Sequence, residues 1–140
     1  MFTATHRIQF HETDMAGIVH FSNFYRFMEE CEHAYLRSLG LSVSMTLPDG
    51  TVIGWPRVRA KCTFEAPAYF EDVIETQLKL TRRGVKSLTF DVEFYRGDVR
   101  VAHGSLKTAC CIIAHGQPLV SIAIPDDIAA KLVEDDAESA

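Results

Sequence analysis

The sequence predicts an α+β fold, with one long helix carrying an apolar stripe packed on a curved antiparallel sheet. Three observations predict it. Between residues 22 and 39 apolar side chains recur at helical spacing. From residue 57 to 114 the spacing changes to two, in four successive runs. Gly97-Asp98 joins two of those runs as a two-residue hairpin. Strands joined by tight turns pair antiparallel, and a helix with that much apolar surface must bury it against them.

The first strand is expected over Phe2 to Phe10, where Ile8 and Phe10 alternate with Arg7 and Gln9. A polar turn follows, His11-Glu12-Thr13-Asp14, and then Met15-Ala16-Gly17. Ser22 or Asn23 is suited to cap a helix, because a short polar side chain accepts from its first unpaired N–H groups. Phe24, Phe27, Met28, Cys31 and Tyr35 form the apolar stripe, with Arg26, Glu29, Glu30, His33 and Arg37 opposite. Gly40 accepts a left-handed backbone and stops the helix, giving about 16–18 residues, or roughly 25 Å. Beyond a loop with Pro48-Asp49-Gly50, Val58, Ala60, Cys62 and Phe64 alternate with Arg57, Arg59, Lys61 and Thr63, until Pro67 ends the strand. Asp72 to Thr81 places Ile74, Thr76, Leu78 and Leu80 on one face, and Ser87 to Arg96 places Leu88, Phe90, Val92 and Phe94 inside. Val99 to Ala114 returns as a long fourth strand. Gly116 and Pro118 make a turn, and Asp126 or Asp127 caps a short helix running to Val133. The acidic tail, Glu134 to Ala140, is expected to fray. No linker or internal repeat interrupts residues 1–140, so one domain is expected.

Composition excludes several classes. Of 140 residues 47% are hydrophobic and both signs of charge are plentiful, which suits one packed core rather than a disordered chain. A net charge of −5 gives no field attracting nucleic acid. No apolar run reaches the ~18–20 residues of a membrane span, and Met1 to Arg7 lacks the apolar stretch of a signal peptide. The cytoplasm is the expected compartment. Cys31, Cys62, Cys110 and Cys111 show no C-x-x-C spacing and read as small buried thiols, not as a disulfide or zinc set. Gly104-Ser105-Leu106 is not a nucleophile elbow, which excludes that serine-hydrolase reading.

The chemistry concentrates before the helix. Asp14 sits in a Gly-containing turn among Met15, Ala16, Ile18 and Val19. A carboxylate in such a place can be a nucleophile or a general base, and it can equally be an ordinary turn former. Gly17 allows close backbone approach to a ligand. The helix start near Phe21 to Asn23 offers unpaired N–H groups where an acyl carbonyl under attack would gain negative charge.

The stretch from Phe10 to Phe24, FHETDMAGIVHFSNF, resembles the signature of the 4-hydroxybenzoyl-coenzyme A thioesterase family. It also resembles the related short acyl-coenzyme A thioesterases associated with the Tol-Pal system. Phe64 to Glu75, FEAPAYFEDVIE, and Arg82 to Phe90, RRGVKSLTF, are corroborating matches, and the resemblance runs from about Thr5 to Val133. It implies a hotdog fold, in which a sheet wraps a long central helix. It implies dimers pairing into tetramers, coenzyme A bound near subunit interfaces, and no metal or redox cofactor. The family's catalytic carboxylate falls on Asp14, and the carbonyl-polarising backbone N–H falls near Phe21, with Gly17, His20 and Asn23 around it. The coenzyme A-contacting loop falls on Arg82, Arg83, Lys86 and Ser87. His11 and Glu12 are possible auxiliaries. Many relatives carry Tyr-His where this chain has His20-Phe21, and Tyr where it has Phe24, changes that bear on the acyl end.

The expected activity is hydrolysis of a short-chain or aromatic acyl-coenzyme A to free acid and coenzyme A. The competing readings are a hydratase or dehydratase acting on acyl thioesters, which needs His11 or His20 beside Asp14, and a non-catalytic acyl-thioester binding protein. Arg57, Arg59 and Lys61 read as a solvated strand face.

Overall fold

A computed structural model of the chain describes residues 1–136. In chain order the elements are β1 (Phe2–Arg7), a 3-10 turn (Phe10–Glu12), α1 (Ser22–Ser38), β2 (Ser44–Thr46), β3 (Val52–Gly54) and β4 (Arg57–Phe64). They continue with β5 (Val73–Arg83), β6 (Ser87–Arg96), β7 (Val99–Ala109), β8 (Cys111–Ile112), β9 (Val120–Ser121) and α2 (Asp126–Ala129). The main sheet is antiparallel with order β1-β5-β6-β7-β4, and a smaller sheet has order β2-β3-β8-β9.

Helix α1 has 17 residues, as the spacing predicts, and buries Phe24, Phe27, Met28, Cys31 and Leu36. It lies on the sheet face formed by Ile74, Thr76, Leu78, Leu80, Leu88, Phe90, Val92 and Phe94, all buried. Phe24 meets Phe94 edge-on at 5.2 Å between ring centroids, and Tyr35 meets Phe90 at 5.7 Å. Each fully buried aliphatic or aromatic side chain here contributes about 1.5–3 kcal/mol, so this seam dominates the stability. Met28 of α1 reaches β7 at Gly104, where an added Cβ would sit 2.1 Å from the Lys61 carbonyl and 2.8 Å from Met28 Cε. Register shifts in the β4, β5 and β6 pairings bend the sheet around the helix. Gly40 ends the helix region with φ +74°.

Several expectations are corrected. β1 ends at Arg7, and Phe10 is 76% exposed in the 3-10 turn, because the Gln9 N–H turns away to the Glu12 carboxylate. The N-cap of α1 is Phe21, with no side-chain cap. Asn23 instead donates to the Glu12 carbonyl, and the Ser22 hydroxyl meets His20 Nδ1. The long strand expected over 99–114 breaks at Cys110. Opposite that break lies Pro56, whose missing N–H interrupts the neighbouring strand, and both chains change sheets there. The loop around Pro48-Asp49-Gly50 is the hairpin of β2 and β3. The last helix stops at Ala129, with Pro125 rather than an Asp as N-cap. β4 occurs where expected, but Val58 and Phe64 are 59% and 45% exposed, because β4 is an edge strand that α1 covers only in part, through Phe21 and Phe24 against Phe64.

The acidic tail begins as a fastened segment. Asp135 receives the Leu80 N–H at 2.8 Å and donates its own N–H to the Leu80 carbonyl at 2.9 Å. It also pairs with the Met1 amine, and Glu134 receives the Arg83 N–H at 2.7 Å. β1 pairs with β5 only as far as Phe2 with Leu78, so Asp135 takes the next ladder position. The remainder of the expected fray, residues 137–140, lies outside the described residues.

Candidate active site

The Asp14 loop closes on itself. Thr13 and Val19 form an antiparallel bridge, the Asp14 N–H donates to the Ile18 carbonyl at 2.9 Å, and the Gly17 N–H donates to the Asp14 carbonyl at 2.9 Å. Gly17 has φ +79°, which a side chain would strain. Asp14 Oδ1 accepts the Ala16 N–H at 2.8 Å. Among the described residues Oδ2 has no hydrogen-bond partner and no cation pairs with the carboxylate. The Val19 N–H donates to the Ala68 carbonyl at 2.8 Å and fixes the loop to the turn after β4.

Phe21 opens α1. Its neighbours' amides are engaged: His20 N–H donates to the Glu12 carbonyl, Ser22 N–H points at His20 Nδ1, and Asn23 N–H donates to the His20 carbonyl. No acceptor for the Phe21 N–H lies among the described residues. It stands at the positive end of a 17-residue helix.

Asp14 and Phe21 border one cavity of about 600 Å³, walled by Ile18, Val19, Phe24, Phe64 and residues Glu65, Ala66, Pro67 and Ala68. Phe64 packs on Phe24 and Phe21 at 5.5 and 6.1 Å between centroids. A carboxylate, an amide with no acceptor among the described residues and apolar walls can attack a carbonyl and stabilise the charge it gains. At the rim, hydrogen bonds from His103 and Arg100 hold the Glu65 carboxyl below the usual carboxylate range.

The remaining expected residues are placed differently. Gly17 shapes the loop without lining the cavity, and Asn23 is buried as a brace. His20 is exposed and off the cavity wall. With the Ser22 N–H aimed at Nδ1, a neutral His20 ring carries its proton on Nε2. His11 is exposed on the 3-10 turn. Glu12 is buried, with its carboxylate 2.7 Å from His6 Nε2. Arg82, Arg83, Lys86 and Ser87 sit at the far end of the sheet. Val73 neighbours the Asp14 end, and from it to Arg82 is roughly 30 Å at about 3.3 Å per residue. Arg83 is not a free phosphate ligand, because its Nη1 donates to the Ala129 and Leu132 carbonyls at 2.5 and 3.0 Å. Sequence reasoning missed Phe64 and Glu65 to Ala68 as cavity wall, although the FEAP passage was a visible motif. Among the described residues no three His, Cys, Asp or Glu side chains converge to hold a metal.

Residues 16–103 match the model of the thioesterase superfamily. The chain belongs to that superfamily. It is an enzyme of the thioester hydrolase class, and its helix-and-sheet architecture is the hotdog fold. A 4-hydroxybenzoyl-CoA thioesterase of Pseudomonas sp. (strain CBS-3) is 30% identical over 132 residues, covering 89% of this chain and 92% of the relative. A hypothetical protein of Aquifex aeolicus superposes with a TM-score of 0.83 at 30% identity, over 95% of this chain and 100% of the other. A gentisyl-coenzyme A thioesterase superposes with a TM-score of 0.78 at 30% identity, over 91% and 98%.

Proposed function

We propose that this thioesterase hydrolyses a short-chain or aromatic acyl-coenzyme A to the free acid and coenzyme A, with Asp14 as its catalytic carboxylate. The observation that carries the reading is that Asp14 and Phe21, whose N–H has no acceptor among the described residues, border one largely apolar cavity. The names of two relatives, a 4-hydroxybenzoyl-CoA and a gentisyl-coenzyme A thioesterase, support an acyl-coenzyme A substrate, and three phenylalanines in the wall suit an aromatic acyl group.

Two routes use the same groups. In one, Asp14 adds to the carbonyl carbon, the C–S electrons leave with the coenzyme A thiolate, and water hydrolyses the mixed anhydride. In the other, Asp14 takes a proton from water, the water oxygen adds to the carbon, and the thiolate then leaves. The carbonyl oxygen becomes negative in both, and the Phe21 N–H is its donor. A hydratase would need an imidazole facing Asp14, and neither His11 nor His20 is on the cavity wall.

The reading includes a homo-oligomer, a dimer at least and a tetramer by the family resemblance, in the cytoplasm. Four free cysteines suit a reducing compartment. No helix among the described residues is long and apolar enough to cross a membrane. Arg82, Lys86 and Ser87, with what remains of Arg83, serve coenzyme A from a second copy, given the span separating them from Asp14 on one chain.

Asp14→Asn keeps the side chain's size and removes its nucleophile and base. Turnover on benzoyl- and butyryl-coenzyme A, followed by thiol release, should fall at least ~10²-fold with the melting temperature retained. Near-normal release from folded Asp14→Asn protein sinks the assignment. Single turnover in ¹⁸O-water separates the routes, since label found in Asp14 requires the anhydride.

A further inference from the structure

We infer that Glu12 is the positioning residue of this site, setting the separation between Asp14 and the Phe21 amide from both its side chain and its carbonyl. The inference rests on the Asp14 reading. A carboxylate that is 7% exposed must be hydrogen-bonded to be tolerated, and Glu12 is. Its Oε1 receives the Gln9 N–H at 2.7 Å, and its two oxygens lie 2.7 and 3.0 Å from His6 Nε2. His6, on β1, stacks 4.5 Å from the Phe27 ring of α1, and its Nδ1 faces Glu30 of the same helix at 3.3 Å. The side chain of Glu12 is thereby tied through one imidazole to both the sheet and the helix.

The backbone of the same residue clasps the other side. The Glu12 carbonyl accepts the His20 N–H at 2.9 Å and the Asn23 carboxamide at 2.8 Å. His20 and Asn23 flank Phe21, and Asp14 is two residues beyond Glu12. Both groups that meet the substrate carbonyl are therefore referenced to one buried residue. The loop between them is closed by its own Thr13–Val19 bridge and tied to the turn after β4 through the Val19 N–H, but Met15, Ala16 and Gly17 are exposed, so its attachment to α1 is left to Glu12. An apolar side chain at position 12 would fill the space without fixing the direction of Gln9 or His6. Loss of that direction lets the Asp14 loop shift against α1, and a shift near 1 Å costs roughly 10²-fold in rate.

The test compares Glu12→Ala, Glu12→Gln, His6→Ala and the double variant Glu12→Ala/His6→Ala, on benzoyl-coenzyme A with wild type and Asp14→Asn beside them. Glu12→Ala should lower kcat about 10- to 100-fold while KM stays within about threefold, because reaction geometry rather than uniform binding is lost. Glu12→Gln still accepts from Gln9 and His6, and should recover most of kcat with an unchanged pH profile. The double variant should lose no more than Glu12→Ala alone, since the two side chains act as one unit. Three results overturn the inference: wild-type kcat in Glu12→Ala, a Glu12→Gln variant as impaired as Glu12→Ala, or losses in the double variant that multiply. An active Asp14→Asn protein would remove the reading beneath it. An inactive Asp14→Asn with an unimpaired Glu12→Ala would remove this inference alone.

Discussion

Asp14 and Glu65 border the same cavity but are held in opposite ways. Glu65 has both oxygens engaged by His103 and Arg100, while Asp14 uses one oxygen within its own loop and keeps the other without a partner among the described residues. A carboxylate pinned by cations is a poor nucleophile, so the free one is the reactive candidate. Asp14 was legible in the sequence because its neighbours form a contiguous motif. The link from Glu12 to His6 was not, because the fold, rather than any regular spacing, brings β1 against the turn. The thiols give a prediction at this scale. Burial, with a smaller push from Glu32, raises Cys31 to about 12; burial raises Cys62 to about 11, and burial followed by Cys111 raises Cys110 to about 11. Unfolded thiols ionise near ~8.5, so between that pH and about 11–12 the folded chain holds more protons than the unfolded one. The contribution of the neutral thiols is therefore complete below about pH 8.5 and is lost as pH rises through 11–12. Melting temperature should hold level to pH 8 and fall between pH 9 and 11. Iodoacetamide at pH 7.5 should label these three thiols in native protein far more slowly than in urea. Equal labelling rates contradict the assignment.

Elements were legible where one face is buried by the chain itself. Leu88, Phe90, Val92 and Phe94 alternate strictly, and all four are buried under α1. The same period over Val58, Ala60, Cys62 and Phe64 located β4 correctly but misjudged its burial, because this chain covers the strand only in part, near Cys62 and Phe64. β2, β3, β8 and β9 are two or three residues long and carry no readable period. Gly104 of β7 is where the Lys61 backbone of β4 and the Met28 side chain of α1 close in on the strand. A methyl group there would meet the Lys61 backbone carbonyl, which cannot rotate away. Gly104→Ala should cost at least the ~1–3 kcal/mol typical of overpacked cores. Urea unfolding measures this directly. A loss under about 0.5 kcal/mol, the usual range of a neutral surface change, would mean that β4 and β7 separate easily at this point.

For the whole molecule the decisive feature is that β4 closes one edge of the main sheet, with no further strand beyond it among the described residues. An exposed edge strand with Val58 and part of Phe64 open invites pairing with another copy. Its end at Phe64 forms part of the Asp14 cavity wall, so pairing there would also close the cavity. Val58→Lys should therefore give a monomer by light scattering at micromolar concentration and should lower activity as well. The basic loop extends the argument. On one chain Arg82 and Lys86 lie at the end of β5 remote from Asp14, so the proposed reading draws the loop and the carboxylate of one site from different copies. Arg82→Ala/Lys86→Ala should raise KM roughly tenfold and change kcat little, since exposed charge-assisted contacts of about 0.5–1 kcal/mol are lost equally from ground and transition states. Its KM should also respond less to added salt than the wild type's, because screening acts on the charges removed. Co-expression distinguishes the two arrangements. In a mixed oligomer of Asp14→Asn and Arg82→Ala/Lys86→Ala chains, one site combines an intact Asp14 with an intact loop from the other chain. Such preparations should recover turnover with wild-type KM, which neither parent shows. If the mixture keeps the raised KM throughout, loop and carboxylate serve one substrate from the same chain, and the coenzyme A must run along the sheet instead of across the interface.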